Sequence, residues 1–210
     1  MGQLIILDAD GKRRAIEMNG IGSDNDPFIF NAVLGGGEVQ VIDIGTISAG
    51  ENHIGEVANG AVTISPTVTV STSPAYTSGD AIGSKLTLAN ATRISGGITM
   101  LQTISLIDRS NQKPTGFIYF YNADPSAATL TDNTAIANST DDAKIIGQVP
   151  ILGSDYTVID GKAYATIANI GLMLKAASGR NLYAVFATNS TPTFVATTDV
   201  ILTLGFIYVN

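Results

Sequence analysis

The sequence predicts an all-β chain: a β-sandwich over residues 67–210, preceded by an extended, short-stranded region over residues 1–66. Three observations carry that expectation. Charged residues are only 14% of the 210 and apolar residues 45%, against a usual charged share of ~25%, so Ser, Thr, Asn, Gly and Ala must form much of the surface. The 22 glycines fall between short runs rich in β-branched and aromatic residues, the punctuation of strands and turns. Several of those runs alternate apolar with polar residues, the period of a half-buried strand.

The elements follow in order. Leu4-Ile5-Ile6-Leu7, then Asp8-Ala9-Asp10-Gly11, then Lys12 to Met18 read as a hairpin whose turn uses the freedom of Gly at positive φ. A calcium loop would require a Glu at its twelfth position, and counting from Asp8 that residue is Asn19. Residues 19–37 read as a loop with one apolar island, Pro27 to Leu34, in which Phe28 and Phe30 form a short strand or anchor a partner. The run Gly35-Gly36-Gly37 lacks the Lys-Ser/Thr and helix of a phosphate-binding loop. Short strands are expected at Glu38 to Ile44, Gly55 to Val57 and Ala61 to Ser65, too brief to bury much surface alone and so ordered by packing on other parts.

A boundary is expected around Ile64 to Ser73, where Pro66 and Pro74 bracket the alternating Val68 and Val70. Beyond it we expect strands at Ser84 to Asn90 and Ile98 to Asp108. In the second, Ile98, Met100, Ile104 and Leu106 are expected to face one way and Thr99, Thr103 and Ser105 the other. Gly116 to Tyr121, Leu182 to Thr188 and Val200 to Val209 are apolar on both faces, as inner strands of packed sheets are. Further strands are placed at Ala143 to Ile151 and Tyr156 to Ile159. Ser139 or Thr140 is expected to cap a helical turn through Asp142 to Lys144, and Ala163 to Lys175 is read as strand because Gly171 and β-branched residues weaken a helix there.

Chemistry is sparse. Net charge is −7, with nine acids against three bases in residues 1–75 (net −6) and nine against eight in residues 76–210 (net −1). Nucleic-acid binding needs a basic stripe, and the sole cluster, Lys12-Arg13-Arg14, reads as a solvated hairpin strand. The absence of Cys excludes a disulfide frame, a thiolate nucleophile and Cys-based zinc sites. No apolar segment approaches the ~20 residues needed to span a membrane, and no signal peptide is visible, so a soluble protein is expected. The one histidine, His53, has no Gly-x-Ser-x-Gly elbow to serve and reads as a solvated or subunit-contact residue. The four Glu (17, 38, 51, 56) all lie in the N-terminal third, while Asp80, Asp124, Asp132 and Asp155 sit in turn-like contexts where Asp closes local hydrogen bonds. Phe117, Tyr119 and Tyr121 read as core packing ahead of a sugar-stacking surface. The Asn-x-Ser/Thr triplets at Asn90, Asn138 and Asn189 carry little weight in so Ser/Thr-rich a chain. No catalytic residue, cofactor-binding residue or metal ligand is assigned.

The segments NHIGEVANG (52–60), VTISPTVTVSTSPAYTSGDAIGSKLTLANATRISGGITMLQTISLIDRSNQ (62–112), FYNADPSAATLTDNTAIANSTDDAKIIGQVPI (120–151) and LYAVFATNSTPTFVATTDVILTLGFI (182–207) resemble, in order and spacing, a group of tailed-bacteriophage virion proteins of the capsid decoration or cement type. The likeness runs from Asn52 to the end, about three quarters of the chain, and is weakest over residues 1–50. It implies a jelly-roll-like β-sandwich on the capsid surface of a virion, made in the host cytoplasm, that binds the phage major capsid protein and itself as a dimer or trimer. It implies no cofactor and no role for nucleic acid or membrane. The acidic N-terminal region would then hold the shell or sister subunits. The alternative is a tail- or fibre-associated glycan-binding module.

Overall fold

The computed structural model describes residues 60–209 continuously, together with four short strands nearer the N-terminus. The Asp8–Gly11 turn, the Gly35–Gly37 run, the segments 38–44 and 55–57, and His53 lie outside the described residues. Two compact units divide the chain, Met1–Glu56 and Val57–Asn210. In the first, strand β1 (Leu4–Leu7) pairs antiparallel with β2 (Arg13–Ile16), Leu4 opposite Ile16 and Leu7 opposite Arg13, the expected hairpin partners. Strand β3 (Met18–Asn19) pairs with β4 (Ile29–Phe30).

The second unit is nearly all β. Its strands are β5 (Ala61–Ile64), β6 (Ala81–Leu88), β7 (Ile98–Asp108), β8 (Gly116–Tyr121), β9 (Ile145–Ile151), β10 (Tyr156–Ile159), β11 (Lys162–Ile167), β12 (Leu172–Lys175), β13 (Leu182–Thr188) and β14 (Val200–Tyr208). They form two antiparallel sheets. One is six-stranded, ordered β10-β11-β7-β14-β5, with β12 also on β7; the other is four-stranded, ordered β6-β13-β8-β9. The short run Ala61–Ile64 thus lies along the edge of the larger sheet, paired with β14. Because β11 takes residues 104–108 of β7 and β12 takes 98–101, two short strands in succession flank one long one. Between β10 and β11 a two-residue turn, Asp160-Gly161, holds both residues at positive φ (49° and 69°), the backbone that matches strand twist in tight hairpins.

One core joins the two sheets. Ile104, Leu106, Leu202 and Leu204 of the larger sheet pack with Ile118, Phe120, Leu182 and Phe186 of the smaller in a single apolar cluster, the arrangement of a β-sandwich. Even at ~25 cal/mol per Å², burial of this many large side chains is the main source of stability. The smaller sheet is apolar on both faces for a second reason. Tyr121, Val185 and Ala81 turn away from the main core and pack with Leu130, Ala128 and Ile136 from the long connection between β8 and β9. That excursion supplies the apolar cover which the two-sided pattern of GFIYFY and LYAVFAT demands.

Two local departures matter. Strand β7 does not keep one phase: Thr99 and Leu101 point inward, and so do Ile104, Leu106 and Asp108, while Ile98 and Met100 are only half-buried. The expected grouping of Ile98 and Met100 with Ile104 and Leu106 is therefore corrected. The cause is a bulge. Thr103 pairs with Gly205 but Leu101 with Phe206, leaving Gln102 as an extra residue that reverses the alternation. The second departure is in β6, where Leu86 pairs with Ala184 and Ile82 with Phe186, so three residues span the interval that Val185 alone fills opposite. Gly83 (φ 79°) and Ser84 (φ 60°) make that bulge. A side chain at Gly83 would place its Cβ 2.3 Å from Val68 Cγ1.

The turn Asp142–Lys144 exists as a 3₁₀ turn, but neither Ser139 nor Thr140 caps it; Asp141 occupies the N-cap position without a side-chain cap bond. Its carboxylate instead accepts from the Ala127 and Ala128 N–H groups (2.8 and 2.9 Å). Donors 13 and 14 residues upstream, at the start of the excursion, take the place of the turn's own. Ala163 to Lys175 forms strands, as the sequence favours.

Candidate functional site

Every acidic side chain in residues 60–209 is an aspartate. Asp80 accepts from the Thr77 N–H (2.7 Å) and hydroxyl (2.9 Å). Asp108, fully buried, accepts from Ser110 N–H (3.0 Å), Ser110 hydroxyl (2.8 Å) and Lys113 N–H (2.7 Å). Asp199 takes the Val195 and Ala196 N–H groups at 2.8 Å each, and Asp155 takes that of Leu152 at 2.7 Å. Asp124 differs, making an exposed ion pair of 2.6 Å with Lys85. The local, turn-closing role expected of Asp80 and Asp155 is what these bonds describe.

Asp132 does more than close its own turn. Its Oδ2 accepts from the Ser71 N–H and hydroxyl, both 2.7 Å. Its Oδ1 accepts from the Tyr76 hydroxyl (2.6 Å) and the Gly83 N–H (2.6 Å). Its own N–H donates to Ser84 Oγ (2.9 Å). One half-buried carboxylate thus ties the β8–β9 excursion to the segment after β5 and to the β6 bulge. Burial, and after it the hydrogen bond to Asp132, push the Tyr76 hydroxyl above its ordinary pKa, so it stays a donor to the carboxylate. Tyr76 also meets Phe194 edge-on, ring centres 5.4 Å apart. Sequence reading placed Asp132 in a turn; nothing local signals that it collects partners 49 to 61 residues away.

At Asp141, the hydrogen bond from Lys144 Nζ (2.7 Å) is the largest of the influences that hold the carboxyl below its usual range, joined by the Ala127 and Ala128 N–H groups. Depressed in the folded state, this group contributes stability that is complete above the unfolded value near ~3.9 and is lost as pH falls through the lower folded value. Melting midpoints measured from pH 6 downward are therefore expected to fall more steeply below about pH 4 in the native chain than in Asp141→Asn. Parallel curves would remove Asp141 from the acid response.

Among the described residues no group of three or more His, Asp or Glu is placed to hold a metal ion. Three of the aromatic candidates separate. Tyr121 is buried in the second cluster, its phenol pushed up to about 12 by burial. Phe117 and Tyr119 are half-buried on the side away from the main core, ring centres 6.2 Å apart, and Tyr119 packs against the second cluster.

The outer face of the six-stranded sheet is poor in charge. Cross-strand register orders it in rows. Tyr164, Ile107 and Ile201 lie side by side at one end. Next come Thr166, Ser105 and Thr203, with Ser65 Oγ 3.0 Å from Thr203 Oγ1. Then follow Thr103, Gly205 and Thr63, where the missing side chain of Gly205 leaves room for Thr103, whose Oγ1 would lie 2.3 Å from a Cβ there. Met173, Met100, Ile207 and Ala61 close the face. These rows contain no charged residue; the nearest on the flanking register positions are Lys162, opposite Ile159, and Lys175, opposite Ile98. Sequence reading missed the share of Met100 in this face, although the adjacent pairs Met100-Leu101 and Gln102-Thr103 break the alternation and mark the bulge.

No helix of the described residues is long and apolar enough to cross a membrane. Comparison with known proteins finds no family model that matches the chain and no curated protein that matches it.

Proposed function

We propose that this is a non-enzymatic structural protein of a phage virion, a capsid decoration or cement protein that binds and stabilises the assembled head shell. The carrying observation is the strand order. Taking β11 and β12 as one interrupted strand and leaving out β10, the eight strands from β5 to β14 run first-eighth-third-sixth in the larger sheet and second-seventh-fourth-fifth in the smaller. That order supports a jelly roll, an architecture of two Greek keys used in viral capsid domains and also in lectins and cupins. Fold alone does not choose among those uses.

Two further features support the structural reading. Most of the described aspartates accept backbone N–H or hydroxyl donors on at least one carboxylate oxygen, which suits rigidity. A sheet face whose central rows carry no charge is suited to burial against protein rather than to a solvated life. On this reading the protein adds interface free energy that exists only in the assembled shell. The half-buried pair Phe117 and Tyr119 favours the second reading, a tail- or fibre-associated glycan-binding module, through stacking of the exposed part of these rings on sugar rings.

One measurement separates the two. Quantified in purified particles of the phage that encodes it, a decoration protein is expected in scores to hundreds of copies, removed together with a fall in the shell's thermal or osmotic resistance. A few copies per particle would overturn the capsid role and favour the tail.

A further inference from the structure

We infer that the connection between β8 and β9, residues 123–143, is a strap that opens and closes as one unit over the outer face of the smaller sheet while the sandwich beneath stays folded. This goes beyond the shell-binding proposal and does not depend on it.

The topology carries the argument. Strands β8 and β9 pair directly up to Tyr121 and Ile145, and the Asn122 N–H donates to the Lys144 carbonyl (3.0 Å), so the connection is a loop closed at its base. Only isolated bridges join it to β6, and detaching it breaks no strand pair of either sheet. Its ties to the sandwich fall on residues 71–85. Asp132 holds Ser71, Tyr76 and Gly83 through its carboxylate and Ser84 through its own N–H. Beside it the Ala81 N–H donates to the Thr134 carbonyl (3.0 Å), the Asn133 N–H to the Ala81 carbonyl (2.9 Å) and the Ile136 N–H to the Gly79 carbonyl (3.0 Å). Because β6 is an edge strand with β13 on one side only, the strap uses its free side and displaces nothing when it closes.

A second set of bonds holds the strap to itself. Thr129 and Ala137 exchange N–H···O bonds of 2.8 and 3.2 Å, and the Asp141 carboxylate gathers Ala127, Ala128 and Lys144. These bonds do not involve the sandwich, so they survive opening and make the segment move together. The apolar grip is small beside that of the main core: Leu130 is the one aliphatic side chain the strap buries fully, with Ala128 and Ile136 partly buried against it. A segment with few buried apolar contacts opens at lower free energy than the core it rests on. Opening uncovers Ala81, Tyr121 and Val185 beside the half-buried Tyr119 and Tyr183, and makes this outer face an aromatic surface.

Native-state hydrogen exchange of the full chain, followed residue by residue in urea below the unfolding midpoint, tests this. The Asn133 and Ile136 amides should exchange on the order of 100-fold faster than those of β7 and β14, and with little dependence on urea, since local opening exposes little surface. Ala81 and Gly83 are the decisive amides. They lie in β6, but their acceptors, the Thr134 carbonyl and Asp132 Oδ1, belong to the strap, so they should exchange with Asn133 and Ile136 and not with β13. Asp132→Asn should speed all four by one common factor of at least ~10. Exchange of the four with the urea slope of β7 and β14, Ala81 and Gly83 following β13, unequal or absent acceleration in Asp132→Asn, or Asn133 and Ile136 exchanging as freely as an unfolded chain would overturn the inference.

Discussion

Asp132→Ala is expected to cost the folded state about 3–5 kcal/mol, read as a drop in the urea midpoint with little change in slope. The carboxylate receives four donors from three residues, at 2.6 to 2.7 Å. Hydrogen bonds to a charged acceptor are worth ~1.5–3 kcal/mol each, but the site is half-buried and water replaces part of what is lost, which brings the total below their sum. Tyr76 feels the loss most, since its hydroxyl belongs to a residue that is only 1% exposed. Asp132→Asn should cost less, because one acceptor oxygen and the shape remain while the amide nitrogen faces donors. The comparison is Asp124→Ala, whose ion pair with Lys85 is exposed and worth at most ~1 kcal/mol. Equal losses in Asp132→Ala and Asp124→Ala would mean that Asp132 is not what joins the three segments.

Gly116→Ala is the second large effect. Gly116 opens β8 at φ 155°, and a Cβ on it would stand 2.0 Å from the Ala187 carbonyl oxygen and 2.9 Å from Thr188 Cα. These are backbone atoms of the paired strand β13, so no rotamer change relieves the collision, and the strands must part. About 3–5 kcal/mol is expected from overpacking and backbone strain together, enough to leave a marginal domain largely unfolded. Gly161→Ala provides the contrast. Its φ is 69° but nothing lies within 4 Å of the added Cβ, so the cost is the left-handed conformation alone, about 1 kcal/mol. If urea midpoints of the two variants coincide, close approach at Gly116 is not what matters.

Much of the strand content is legible in the sequence because it is locally encoded. Ile98–Asp108, Gly116–Tyr121, Tyr156–Ile159 and Leu182–Thr188 have the expected bounds, each a run of β-formers ended by turn residues. The strand expected at Ser84 to Asn90 instead spans Ala81–Leu88. Its Gly83-Ser84 pair looks like a break but is a bulge inside the strand, and that distinction depends on what β13 and Asp132 require. The candidate face was less legible. Low charge foretold surfaces made of Thr, Ser and Ala, yet which strand contributes which residues depends on the extra Gln102 in β7 and on the pairing of β14 with both β7 and β5.

By itself, then, the sequence determined the all-β class, the positions of most strands and the turn-closing work of Asp80 and Asp155. Propensity, alternation and short-range hydrogen bonds act within a few residues. Tertiary structure alone decided the order of the two sheets, the inward and outward faces of β7, and the role of Asp132. Those depend on donors and strand partners tens of residues away, where the chain meets itself only after the core has set the register.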